Sequence, residues 1–276
     1  MIKKITSVVV ASVLVGAGTA HAQTLPQAMP RVMAALGDSI SSGFNACGWY
    51  VSCTSRSWAA GDNPGVDSHY LRLLAQGPAI NGHNLNFAVP GATSADLLAQ
   101  ARQAVARGAE YVTILIGAQD ACRDSEAAMT PVATYRQRID AALAVLRTTG
   151  ARVFVASVPD LKRLWRVGKD NAWARAFWAL GRICPSMLAN AASLSKTDEA
   201  RRDRVRERVI AYNEQLSQAC ALYGTACRYD GGAVFSFPFT LRHLSGWDYF
   251  HPNAEGQKAL AAITFDAGFV PSATQP

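Results

Sequence analysis

The chain has 276 residues, of which 50% are hydrophobic and 17% charged, with a formal net charge of +7. After the first residues no stretch approaches the ~20 apolar positions that span a bilayer, so the body of the chain is read as soluble. It carries no internal repeat, no low-complexity tract and no aromatic-interleaved basic motif of the single-strand-binding kind, which excludes solenoids and argues against a nucleic-acid partner.

Positions 1–22 read as a secretory signal peptide. Lys3 and Lys4 form the basic start, an apolar run follows from Val8 through Ala17, and Ala20-His21-Ala22 is a small-x-small cleavage site. The run is too short for a membrane anchor. Cleavage after Ala22 leaves about 254 residues, 23–276, a length that suits one large α/β domain as well as two small ones, and with no linker inside it one domain is the simpler reading. The product is expected in the periplasm or outside the cell, as a monomer. All six cysteines follow the signal, and export with an even count favours disulfides. Of the 15 pairings that six cysteines allow, proximity selects Cys47–Cys53 and Cys220–Cys227, leaving Cys122–Cys184. A zinc site is the alternative, but no CxxC pair is present.

In chain order, Val32–Leu36 is a short apolar run that reads as a buried strand, ended by the turn-forming Gly37-Asp38-Ser39-Ile40-Ser41-Ser42-Gly43. An irregular, disulfide-pinned loop is expected over 45–65, then a short helix over Asp67–Leu74. Leu85–Val89 is a second strand, broken by Pro90-Gly91, and Ser94 caps a helix reaching Arg107. Tyr111–Ile116 is the strongest strand, rich in β-branched residues, and leads into Gly117-Ala118-Gln119-Asp120. A helix over Pro131–Arg147 and a strand over Val153–Val158 follow.

An aromatic-rich insertion occupies about 160–196. Within it Trp173, Phe177, Leu180, Cys184 and Met187 recur at helical spacing. This stripe reads either as core packing or as an acyl pocket or lipid-facing flap, whereas Trp165 and Trp178 fall off it. A long helix is expected over Thr197–Leu222, with Val205, Val209, Tyr212 and Leu216 inward. Its Arg201, Arg202, Arg204, Arg206 and Arg208 read as a solvated face, or as a site for anionic partners. Cys227–Tyr229 is a last short strand, and Asn253 caps the final helix.

Alternating strands and helices predict a parallel sheet covered on both faces, with functional groups beyond the carboxyl ends of the strands. Ser39, Gly91 and Gln119 all fall there. A serine hydroxyl needs a base to take its proton before it can attack a carbonyl. Of the four histidines after position 22, only His251 combines a carboxylate three residues earlier, Asp248, with a following proline that holds it out of helical geometry. Asp248 can bond the imidazole and fix its tautomer. Backbone N–H of Ser39 and Gly91 and the side-chain amide of Gln119 are candidate donors for an oxyanion. Each motif alone has a bland alternative: Ser39 as a helix cap, Asp248-to-His251 as a surface turn.

Taken together, the blocks resemble the SGNH, or GDSL, family of serine hydrolases. Gly37-Asp38-Ser39-Ile40 resembles its nucleophile block, and Gly91 within Asn86–Thr93 its glycine-amide block. Gly117-Ala118-Gln119-Asp120 resembles the Gly-x-Asn-Asp block, with Gln119 in place of asparagine. Asp248-Tyr249-Phe250-His251-Pro252 matches the Asp-x-x-His-Pro block. The order is the family's, and the look is closest to secreted bacterial lipases, esterases and phospholipase B-like members. The resemblance implies a three-layer α/β/α sandwich around a five-stranded parallel sheet and no metal or organic cofactor. It also implies a carboxylester hydrolase with Ser39, His251 and Asp248 as catalytic residues and Ser39, Gly91 and Gln119 as the oxyanion hole. The substrate is then a small-molecule or lipid acyl ester. A carbohydrate acetylesterase and a non-catalytic lipid- or glycan-binding module are the two competing readings.

Overall fold

A computed structural model describes residues 29–269, so the signal-peptide reading at 1–22 lies outside the described residues. Five strands, β1 Met33–Gly37, β2 Asn84–Asn86, β3 Tyr111–Leu115, β4 Arg152–Val155 and β5 Cys227–Tyr229, form one sheet in the order β2-β1-β3-β4-β5. Every neighbouring pair is parallel, with Met33 opposite both Asn84 and Tyr111. Parallel neighbours cannot be joined by a tight turn, so helices fill the crossovers: α1 His69–Gln76, α2 Leu97–Ala106, α3 Ala118–Ala121, α4 Val132–Arg147, α5 Leu161–Gly168, α6 Ala172–Leu180, α7 Pro185–Leu188 and α8 Lys196–Tyr223; α9 Ala233–Ser236 and α10 Ala254–Asp266 follow the last strand.

Alternation along the strands divides the interior into two cores. Ala34 and Leu36 of β1, Val112 and Ile114 of β3 and Val153 and Val155 of β4 pack against α2, α4 and α8. Met33, Ala35, Tyr111, Leu115 and Phe154 face the opposite way, toward α1 and α10. The result is the three-layer α/β/α sandwich with a five-stranded parallel sheet. Disulfides join Cys47 to Cys53, Cys122 to Cys184 and Cys220 to Cys227.

Four local expectations change. The second strand ends at Asn86, because the Asn86 side chain turns the chain: its Nδ2 donates to Ser41 O, and its Oδ1 accepts from Ala88 N–H. Ser94 does not cap α2, whose N-cap is Asp96; its N–H and hydroxyl both bond the buried Asp120 carboxylate instead. The five-residue stripe of the insertion is not one helix. α6 stops at Gly181, Cys184 takes a left-handed φ of 47°, and Pro185 starts α7. Trp173 and Leu180 are consequently exposed while Cys184 and Met187 are buried, and the off-stripe Trp165 and Trp178 are the buried ones. A Cβ on Gly168 would overlap the Trp178 ring, which packs in that space.

The arginine run is only in part a solvated face, with Arg204 exposed, and its guanidinium groups are all engaged within the chain. Arg202 is fully buried, lies 4.2 Å over the Trp165 ring and donates to the carbonyls of Asn190 and Ser193. Arg201 donates to Ser186 O and Ala189 O, Arg204 pairs with Glu126, Arg206 with Asp160, and Arg208 donates to Thr130 O. These bonds fasten the insertion and the chain after α3 to α8.

Candidate active site

The turn after β1 is shaped by close approach. Gly37 has φ 137°, and a Cβ there would overlap the Leu115 carbonyl oxygen at the end of β3. Two buried amides clamp this turn. Gln100 of α2 accepts from Gly37 N–H at 2.7 Å and donates to Gly37 O at 2.9 Å. Gln257 of α10 donates to Ile40 O and accepts from Trp58 N–H, both at 2.9 Å. Ser39 is thereby fixed at the carboxyl edge of the sheet, 4% exposed.

His251 arrives from the far end of the chain. A loop closed by Ser245 N–H to His251 O (2.8 Å) and Tyr249 N–H to Ser245 O (2.8 Å) presents its ring toward Ser39. His251 Nε2 lies 2.9 Å from Ser39 Oγ, and Nδ1 lies 2.6 Å from Asp248 Oδ2. A carboxylate only accepts, so the proton sits on Nδ1 and Nε2 accepts from the serine hydroxyl. Asp248 is held by the N–H groups of Phe250 (2.9 Å) and His251 (3.1 Å) on Oδ1. Phe44 stands edge-on to the imidazole with ring centroids 4.9 Å apart, and Phe250 does so at 5.1 Å.

Sequence reading missed Asn45. Its Nδ2 donates to Asp248 Oδ2 at 2.6 Å, so that oxygen accepts from both the imidazole and the amide. Asn45 is 1% exposed and left-handed at φ 64°, a conformation asparagine tolerates better than most residues. Nothing in the sequence marks it. Gln100 and Gln257 did leave a signal, since each is a polar residue within an apolar helical stripe, where burial demands a partner.

Asp38 is wholly buried, with Oδ1 accepting from Ile40 N–H at 2.9 Å and Oδ2 unpartnered. Burial pushes its carboxyl up to about 7, against the opposing pull of the Ile40 N–H and of His251.

The three groups expected as oxyanion donors are unused. Among the described residues, neither the Ser39 nor the Gly91 N–H has an acceptor, and the Gln119 side-chain amide has no partner. Gly91 is exposed at φ 83°, the third residue of the turn closed by Ala92 N–H to Val89 O after Pro90. This is where a type II turn takes glycine. Gln119 lies in the first turn of α3 and lines an open cleft of about 400 Å³ with Tyr50, Arg123, Arg182, Phe250 and His251. On the other side of His251 is an apolar crevice of about 50 Å³ walled by Ile40, Leu161, Leu164, Phe239, Leu244 and Phe250. Among the described residues, no three His, Cys, Asp or Glu side chains are grouped to hold a metal ion.

A buried serine–histidine–aspartate chain at the carboxyl edge of a parallel sheet, beside free N–H donors, defines a serine hydrolase site of the α/β/α class. The chain belongs to the GDSL-like Lipase/Acylhydrolase family, whose model matches residues 33–263, and is a carboxylic ester hydrolase. Among solved structures, a catalytic mutant of Axe2, an acetylxylan esterase from Geobacillus stearothermophilus, is similar over 88% of this chain and 96% of that one, at 16% identity and a TM-score of 0.55. TesA aligns over 86% of this chain and 97% of its own at 18% identity and a TM-score of 0.48. The esterase EstA from Pseudoalteromonas sp. aligns over 86% and 96% at 13% identity and a TM-score of 0.46. At these identities the likeness to the acetylxylan esterase speaks to the fold. No curated protein sequence matches the chain.

Proposed function

We propose that the protein is an exported serine esterase that cleaves acyl esters through an acyl-enzyme on Ser39, with His251 as base and Asp248 as its orienter. The observation that carries this is the continuous chain from Ser39 Oγ through His251 to Asp248, 2.9 Å and 2.6 Å. As Ser39 Oγ attacks the ester carbonyl carbon, its proton passes to His251 Nε2. The oxyanion is received by the N–H groups of Ser39 and Gly91 and by the Gln119 amide. Collapse expels the alcohol, which takes the proton from Nε2. A water then attacks the acyl-serine, gives its proton to Nε2, and the acid leaves as Ser39 regains the proton.

The walls suggest how an ester lies. The crevice of about 50 Å³ is apolar and small, suited to a short acyl group, while the alcohol portion has the open cleft. A short acyl group is also what a carbohydrate acetylesterase requires, so the crevice favours that second reading as far as the acyl side is concerned. Export is supported by three disulfides, which persist in oxidising compartments.

The test is a p-nitrophenyl ester series with wild type, Ser39→Ala and Gln119→Ala. Turnover is expected to be highest for the shortest acyl chains, abolished in Ser39→Ala and lowered roughly 100- to 1000-fold in Gln119→Ala, the cost of losing one oxyanion donor. Wild-type activity in Ser39→Ala refutes the acyl-enzyme. An unchanged rate in Gln119→Ala removes that residue from the oxyanion hole.

A further inference from the structure

The mouth of the site is ringed by apolar side chains that the reaction does not use. Trp49 (67% exposed), Tyr50 and Val51 stand on the loop closed by Cys47–Cys53. Trp247, exposed, stacks on Trp49 at 6.0 Å and donates its indole N–H to Gly48 O. Trp173 (69%), Phe177 and Leu180 (86%) form one exposed face of α6 at spacings of four and three.

Contacts join the three segments. Phe177 packs on Tyr249 at 6.0 Å, and the Trp178 indole donates to Tyr249 O at 3.3 Å. Phe44 touches both Tyr50 and His251 at 4.9 Å. The exposed apolar groups thus lie on segments that meet around His251. Scattered surface hydrophobics need no explanation, but a contiguous rim of them does.

We infer that this rim docks the enzyme on an anionic lipid–water surface, bringing the site to esters concentrated there. The inference rests on the esterase reading for its substrate. Charge favours an anionic partner even though Asp124 pairs with Arg182, Asp170 pairs with Lys169 and Glu255 is exposed beside Trp247. The three segments, 42–58, 171–183 and 245–251, contain Arg56, Arg175 and Arg182, and their sole carboxylate is the buried Asp248. Tryptophan and tyrosine at headgroup level, with arginine reaching phosphates, is the composition of a membrane-interface belt. A glycan platform is the other reading of exposed tryptophans. It does not account for Leu180 and Val51, which offer a sugar no hydrogen bond.

The test is sedimentation of the Ser39→Ala protein with sucrose-loaded vesicles of phosphatidylcholine alone or mixed equally with phosphatidylglycerol. Partition to the anionic vesicles is expected to be at least about tenfold stronger at low salt and to weaken as salt screens the arginines. Trp173→Ser combined with Leu180→Ser is expected to reduce it by at least about tenfold. Unchanged partition in that double variant, or no sedimentation with anionic vesicles, overturns the inference. Sedimentation with insoluble acetylated xylan that the double variant loses also overturns it, and gives the rim to a glycan. Because the binding protein is inactive, failure to dock is separable from failure to turn over ester: a wild type that docks without hydrolysing refutes only the esterase reading.

Discussion

Replacing Asn45 by glycine isolates one bond in the site. Asp248 accepts four hydrogen bonds, two on Oδ1 from backbone and two on Oδ2 from His251 and Asn45, and Asn45→Gly removes one of the two 2.6 Å contacts. Glycine accepts the left-handed φ of 64° without a steric penalty, so the backbone of the loop is retained. A hydrogen bond to an ionised, buried carboxylate contributes roughly 1.5–3 kcal/mol. Expressed in the transition state, where the imidazolium leans on a fixed carboxylate, that is a fall in kcat of roughly 10- to 150-fold. KM is expected to change little, because Asn45 is buried and does not line the cleft. Stability is expected to fall by only about 1 kcal/mol, since Asn45 Oδ1 is an unpartnered buried acceptor whose removal offsets part of the loss.

An opposing effect exists: a carboxylate with one fewer donor is a stronger base and could favour the imidazolium. The sign of the change in kcat decides between them. The assay is steady-state hydrolysis of a p-nitrophenyl ester beside thermal unfolding. Asn45→Ala serves as the comparison, with the same activity loss and a lower Tm, because alanine at positive φ costs about 1–2 kcal/mol. A kcat equal to or above wild type in Asn45→Gly refutes the positioning role.

Three further outcomes follow from the same structure. Gly37→Ala is expected to yield no folded protein, because its Cβ would occupy the space of the Leu115 carbonyl oxygen; near-normal soluble yield and activity would contradict the close approach. Removing the Cys122–Cys184 bridge with a paired Ser substitution releases a 62-residue separation between the end of α3 and α7. The loop-entropy relation gives about 4 kcal/mol, roughly 8–16 °C in Tm, and a shift below 2 °C would show that the bridge does not constrain the unfolded chain. His69 is buried between Tyr111 Oη and Thr264 Oγ1, each 2.8 Å away, and burial lowers its pKa to about 3. Its folded pKa lies below the unfolded value of about 6.5, so its contribution is present above about pH 6.5 and is lost as pH falls toward 3. His69→Gln is expected to flatten Tm against pH across that window relative to wild type, whereas parallel curves would contradict the assignment. Asp38, raised to about 7, acts in the opposite sense, losing stability as pH rises from about 4 to 7, and cancels in the comparison.

What the sequence revealed and what it hid divide along physical lines. Buried parallel strands need apolar runs ended by turn formers, so β1 was legible from its apolar residues before Gly37 and β3 from its β-branched ones. The grouping of Ser39, His251 and Asp248 was legible because these residues lie in short local blocks with recognisable neighbours. Helical periodicity identified stripes but not which way they face: the Trp173 to Leu180 part of the stripe turned outward while Cys184 and Met187 went inward, because Gly181 and Pro185 break it into two helices. Trp165 and Trp178 went inward, where Arg202 and the space beside Gly168 receive them. The α8 arginines looked like a solvated face, since no local pattern shows that the carbonyls left free by the insertion lie within their reach. Asn45 was invisible for a similar reason, as its partner is 203 residues away. A lone asparagine in a loop becomes informative only once the fold places it against a carboxylate.

The central claim is that Ser39 Oγ is the atom that bonds to the substrate carbonyl. Treatment with a p-nitrophenyl alkylphosphonate, followed by peptide mass spectrometry, tests it directly. The expected result is one phosphonyl group on Ser39, formed in step with loss of esterase activity and absent from Ser39→Ala. Inactivation with the label on another residue, or with Ser39 unmodified, would contradict it.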